Sequence, residues 1–262
     1  MSVLLLRLAG PLQAWGDSSR FTRRHTRSEP TKSGVLGLLA AAQGRRRADP
    51  IEDLVKLRFG VRVDQPGHLQ RDFQTAHRWR DGKSMPLSYR YYLADAVFVA
   101  AVEGDRSLVD GLHEAVRSPA FPLYLGRRSC PPAGPVTLGV RDGSVEQALR
   151  EADWQAAEFH RKSLSRGVIP LEAFVDSDDE PAPERAVEVV RDVPLSWSPE
   201  RREYGWREVT SIKPVLVDNP DGRPPREPAD DSTGLVSAES GAGSPAGDEP
   251  DFFTEVGGVP CT

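Results

Sequence analysis

The chain has 262 residues, 34 of them Lys or Arg and 39 Asp or Glu, for a net charge of −5. That length allows one large domain or a domain with a smaller appendage, at about 100–200 residues per domain. The total hides an asymmetry: residues 1–140 carry 21 basic and 13 acidic side chains, a balance of +8, whereas residues 141–262 carry 13 and 26, a balance of −13. Such a division is expected of a polyanion-binding body with an acidic appendage. The longest apolar runs, such as Val97 to Val102, fall far short of the ~20 residues a membrane helix needs. The N-terminal run lacks the basic start of a secretory signal, so a cytoplasmic protein without membrane contact is expected. Cys130 and Cys261 stand far apart with no Cys-x-x-Cys, which argues against a disulfide framework or a zinc site, and no cofactor is expected.

In chain order, Val3 to Leu8 is an apolar run ended by Gly10-Pro11 and predicts a first strand. After a polar, basic segment, Thr31 follows Pro30 as a helix N-cap. Val35, Leu36, Leu38, Leu39 and Ala42 then form one apolar stripe up to Gly44. Arg45, Arg46 and Arg47 sit where cations favour a helix C-terminus. Leu57 to Asp64 alternates apolar and polar or small residues, the period of a half-buried strand. Residues 65 to 93 lack that regularity and read as a surface arm. Ala94 to Val102 predicts a buried strand. Leu108, Leu112, Ala115 and Val116 predict a short helix between Ser107 and Pro119, and Val136 to Val140 a further strand.

The order strand, helix, strand, excursion, strand, helix, strand is the βαββαβ ferredoxin-like plan, shared with RNA-recognition motifs, with the loop between its second and third strands enlarged. An α+β fold is expected, with this domain over 1–140. Val145 to Phe159 predicts a helix, and Val168 to Val175 and Ala186 to Val193 predict short strands. These suggest a small β-rich subdomain over 141–217. From Asp218 onward ten acidic and two basic residues, rich in Pro, Gly, Ser and Ala, predict a disordered acidic tail over 218–262.

Four stretches carry candidate chemistry. Arg20, Arg23 and Arg27, among hydroxyl residues, precede the helix start at Thr31, Lys32, Ser33 and Gly34. Arginine pairs with phosphate, and helix-start amides add partial positive charge, so the arrangement suits an RNA backbone. A solvated loop whose arginines pair with carboxylates is the plainer alternative. Pro30 to Gly34 lacks the first glycine of a nucleotide-binding P-loop, which excludes an NTPase. The 65–92 excursion interleaves Arg71, Arg78, Arg80, Lys83 and Arg90 with Phe73, Trp79, Tyr89, Tyr91 and Tyr92, a mixture suited to single-stranded RNA. Tyr124, Gly126, Arg127, Arg128 and Ser129 place paired cations after a turn glycine, and Cys130 reads as a packed small residue. His25, His68 and His77, beside Tyr89 or Lys83, leave open a metal-independent endoribonuclease, although a histidine in such loops more often stacks or hydrogen-bonds.

Three blocks stand in one order: Leu5-Leu6-Arg7-Leu8-Ala9-Gly10-Pro11-Leu12-Gln13-Ala14-Trp15-Gly16, Pro30-Thr31-Lys32-Ser33-Gly34-Val35-Leu36-Gly37-Leu38-Leu39 and Tyr124-Leu125-Gly126-Arg127-Arg128-Ser129-Cys130-Pro131. Together they resemble the CasD family of CRISPR-associated proteins, the type I-E member of the RAMP superfamily, over about residues 3–217. The resemblance implies a non-catalytic subunit of the Cascade surveillance complex that grips the 5′ handle of the CRISPR RNA. It also implies a ferredoxin-like palm with a thumb between its second and third strands. The implied partners are CRISPR RNA, the CasC backbone subunit, the large CasA subunit and, through the assembled complex, target DNA. Tyr124, Arg127, Arg128 and Ser129 look like the handle-binding turn, and Lys32 with Thr31 to Gly34 like a second phosphate contact. The family places precursor cleavage in a separate subunit, while type I-C relatives cleave with this one.

Overall fold

The computed structural model describes residues 1–16, 23–177, 187–198 and 200–224. One compact unit spans Met1–Pro225. Arg226–Thr262 form a second unit, outside the described residues, so most of the expected tail falls there. The elements are β1 (Ser2–Ala9), β2 (Leu12–Gln13), β3 (Arg23–Arg24), α1 (Lys32–Ala42), α2 (Glu52–Val55), β4 (Arg58–Gln65), β5 (His68–Gln74), β6 (Ser88–Ala94) and β7 (Val97–Gly104). They continue with α3 (Arg106–Arg117), β8 (Thr137–Asp142), α4 (Val145–Glu151), α5 (Glu158–Ser163), β9 (Gly167–Leu171), β10 (Ala173–Asp176), β11 (Val187–Trp197), β12 (Arg202–Ser211) and β13 (Val215–Asn219).

A seven-stranded sheet runs β11-β12-β10-β4-β7-β1-β8, and every neighbouring pair is antiparallel. Its β8-β1-β7-β4 portion, with α1 linking β1 to β4 and α3 linking β7 to β8, has the strand order of a βαββαβ unit. Both faces of β1 are buried, which explains the consecutive apolar residues Val3 to Leu6. Leu4, Leu6 and Leu8 enter a core shared with α1 and α3, while Val3 and Leu5 enter a second core with α4, Leu171 and Val215.

Five expectations differ from the observed elements. The alternation of β4 is not that of a half-buried strand: Phe59 and Val61 face the first core, but Arg62 and Asp64 on the other face are wholly buried. Arg62 pairs with Asp64 at 2.6 Å and donates to the carbonyls of Leu149, Ala152 and Asp153. Asp64 accepts from the Gln155 amide at 2.6 Å. Burial pushes the Asp64 pKa up against the Arg62 hydrogen bonds and charge. This grip also explains why the helix expected over 145–159 is two: once its last carbonyls are turned onto Arg62, α4 ends at Glu151.

The 65–93 excursion is a regular hairpin, His68 pairing with Ala94 through to Gln74 with Ser88. The side chains of β5 are largely exposed and those of β6 mostly half-buried, so no single buried face imposes an alternation on the pair. The residues read as a separate 141–217 subdomain enter the main sheet: β8 crosses the 140/141 boundary, and β10 pairs with β4. Finally, the residues after 217 begin in order, with Asp218 and Asn219 inside β13 and Arg223 donating its amide to the Leu164 carbonyl.

Candidate nucleic-acid interface

A groove of about 770 Å³ opens between α1, the loop after α3 and the β11–β12 ribbon. Its floor is Trp15 packed on Gly34, where a side chain would meet the indole at 2.8 Å. This requirement accounts for two of the sequence blocks at once, because the tryptophan of the first needs the glycine of the second. Thr31 caps α1 by accepting from the Gly34 amide at 3.3 Å, and both residues, with Ser33, line the groove.

The third block forms a tight turn. The Leu125 amide donates to the Cys130 carbonyl at 2.7 Å, and the Cys130 amide to the Arg127 carbonyl at 2.9 Å. Gly126 adopts φ +84°, and a Cβ there would fall 1.8 Å from the Ala14 carbonyl oxygen, so the turn lies directly on the strand leading to Trp15. Tyr124, Gly126 and Arg128 line the groove, and Ser129 is exposed beside it. Burial pushes the Cys130 thiol up, in keeping with a packed side chain.

Arg127 does not join Arg128. Its guanidinium lies over the Tyr92 ring at 4.8 Å and donates to the carbonyls of Tyr91, Arg24 and His25 at 3.1, 2.9 and 3.3 Å. It therefore fastens β6 and the segment around β3 to the turn, whereas the expectation was a phosphate clamp made by both arginines.

Lys32 also departs from expectation. It is buried and paired with Asp176 at 2.9 Å, and its amide donates to Asp192 at 2.7 Å. A carboxylate thus occupies the helix-start amide expected to be exposed. Arg207 completes the cluster with 2.6 Å contacts to both Asp176 and Asp192. Burial opposes its charge, and the two carboxylates outweigh that effect, holding its pKa above the ordinary value.

Arg27 pairs with Glu29 at 2.7 Å and Glu188 at 2.8 Å, the plainer of the two alternatives for that loop. Burial disfavours its charged form, and the two glutamates more than compensate. Arg20 lies outside the described residues, and Arg23 is exposed on β3. Arg78, Trp79 and Arg80 occupy the turn of the β5–β6 hairpin, away from the groove lining. Arg78 pairs there with Asp81, and Trp79 is 91% exposed.

The groove contains residues not singled out as site candidates from sequence: Arg45, Arg46 and Arg47 after α1, Phe121 after α3, and Trp197, Arg202 and Tyr204 on the ribbon. Arg45 is committed to Asp53. Among the described residues, Arg46, Arg47, Arg128 and Arg202 have no side-chain partner, and no Asp or Glu lines the groove. Unpaired guanidiniums beside aromatic rings can hold phosphates while bases stack. The sequence signal existed, since Trp197 to Arg207 interleaves aromatic and basic residues as the excursion does. Among the described residues, no group of three or more His, Cys, Asp or Glu could hold a metal ion. No helix among them is long and apolar enough to cross a membrane.

Comparison with known proteins sets this frame in a class. A family model described as CRISPR-associated protein (Cas_Cas5) matches residues 3–210, and the chain belongs to that family. It is 36% identical over 166 residues to the CRISPR system Cascade subunit CasD of Escherichia coli (strain K12), an alignment covering 56% of this chain and 74% of that one. A crystal structure of a Cas protein, 36% identical, superposes with a TM-score of 0.62 over 83% of this chain and 95% of the other. A chain from a CRISPR RNA-guided surveillance complex, 32% identical, reaches 0.67 over 86% of this chain and 95% of its own length.

Proposed function

We propose that this chain is a subunit of a Cascade-type, CRISPR RNA-guided surveillance complex in the cytoplasm. It holds the 5′ handle of the CRISPR RNA in the basic groove, without cleaving it, and caps one end of the complex's backbone. The observation that carries the reading is the set of four partnerless guanidiniums, Arg46, Arg47, Arg128 and Arg202, on an aromatic-lined groove free of carboxylates among the described residues. Phosphate contacts there supply affinity and position the strand, while base contacts supply selectivity.

In this reading β8-β1-β7-β4 with α1 and α3 is the palm, and the β5–β6 hairpin, exposed along β5, is the thumb that meets the neighbouring CasC subunit. The body meets CasA and, through the assembly, supports target DNA recognition. The family membership and the names of the relatives support the assignment. The histidines that could serve an endoribonuclease lie outside the groove lining: His25 stacks on Tyr91, with ring centroids 5.0 Å apart, His77 contacts Ser84 at 3.3 Å, and His68 is exposed on β5.

The test is a salt titration of single-stranded repeat RNA binding in EDTA. Arg46→Ala, Arg47→Ala and Arg128→Ala combined should flatten the slope of log K against log salt by about 2, at about 0.7 per lost single-strand contact. An unchanged slope overturns the groove as the RNA site, and specific scission of the RNA overturns the non-catalytic reading.

A further inference from the structure

The ribbon wall of the groove has a chemistry of its own. Trp197 and Arg202 are paired across β11 and β12, and Tyr204 follows two residues later on β12, so three groove-lining groups come from one end of the ribbon. The indole of Trp197 lies along α1, 3.9 Å from where a Gly37 side chain would begin, and packs against the first core. Tyr204 is only half-buried. Among the described residues, neither the Trp197 N–H nor the Tyr204 hydroxyl has a hydrogen-bond partner, and the Arg202 guanidinium has none either. Both polar atoms reach solvent within the groove, where they share one wall with a free cation and can meet a ligand directly.

We propose that the Trp197–Arg202–Tyr204 wall is a subsite for a single unstacked nucleotide: Tyr204 and Trp197 offer ring faces to its base, and Arg202 takes its phosphate. This deepens, and rests on, the reading of the groove as an RNA site. The ligand class follows from the chemistry. Stacking needs a free base face, which single-stranded RNA offers and a duplex does not, so the wall also sets a preference for single strands. None of these three residues belongs to the three sequence blocks singled out above, and all are delivered by the ribbon's attachment to β10.

The experiment uses the full chain and single-stranded repeat RNA carrying 2-aminopurine at one position at a time, with the matching duplex as competitor. The native protein should quench the fluorophore at one position and prefer the single strand. Tyr204→Leu should relieve that quenching, weaken single-strand binding about tenfold, and leave the salt slope unchanged. Tyr204→Phe, which keeps the ring, should restore quenching and affinity. Trp197 is left intact because its ring also packs the core. Quenching and strand preference that persist in Tyr204→Leu overturn the subsite. If that happens while the combined Arg46, Arg47 and Arg128 variant still loses binding, the groove stands and only the subsite falls. If the arginine variant also binds normally, both fall.

Discussion

Asp192 is the residue whose removal tests the reasoning about charge placement most sharply. It is 1% exposed and accepts three hydrogen bonds: from the Lys32 amide at 2.7 Å and from Arg207 at 2.6 and 2.9 Å. Asp192→Ala leaves the first amide of α1 without an acceptor and strips one of two carboxylates from a nearly buried guanidinium. Breaking a buried pair from one side costs about 3–5 kcal/mol, because the surviving charge keeps its desolvation penalty. Asp176 still faces both Arg207 and Lys32, which places the loss at the lower end, about 3 kcal/mol. For a folded body of this size each kcal/mol moves Tm by about 2–4 °C, so calorimetry should record a fall of about 6–12 °C. Asp192→Asn, which keeps an oxygen for the Lys32 amide, should lose less. Below the transition the salt slope of RNA binding should match the native protein, since the cluster stands outside the groove lining. A Tm within about 1 °C of native would refute the claim that this network holds the start of α1 against the sheet.

Two further outcomes follow from the turn at 125–130. Gly126→Ala places a methyl group 1.8 Å from the Ala14 carbonyl oxygen at φ +84°; the turn must shift, and both thermal stability and RNA affinity should fall together in melting and titration experiments. Arg127→Ala should lower stability by about 2 kcal/mol through its lost hydrogen bonds and ring contact while leaving the salt slope intact; a slope reduced as in Arg128→Ala would mean that both arginines reach phosphate.

What the sequence revealed and what it concealed divide along physical lines. β1 and α1 were legible because their burial is dictated by their own side chains: an apolar run with a Gly-Pro stop, and a capped stripe at helical spacing. The groove was half legible, since Thr31, Ser33, Gly34, Tyr124 and Arg128 come from blocks whose glycines and aromatic rings must pack on each other. Lys32 and Arg127 deceived because a cation's partner is a tertiary fact: Asp176 and the carbonyl of Tyr91 lie 144 and 36 positions away. The split of the 145–159 helix was hidden for the same reason, as its cause, Arg62, sits on β4. Strand β12 went unread because in Arg202-Glu203-Tyr204-Gly205-Trp206-Arg207-Glu208 the alternation is confined to Tyr204 and Trp206 among charged residues. Arg45 to Arg47 were explained by the helix terminus they follow, which left their place on the groove unseen.

The ribbon that closes the groove is held to β4 through β10, so the binding surface joins residues near position 15 to others beyond position 200. A nascent chain that has produced β1 through β8 owns two of the three walls and lacks the last. Proteins are made and begin to fold from the N-terminus, so this pocket is finished only near the close of synthesis of the folded body. If the groove holds guide RNA as proposed, capture must wait for polypeptides whose translation has passed Tyr204.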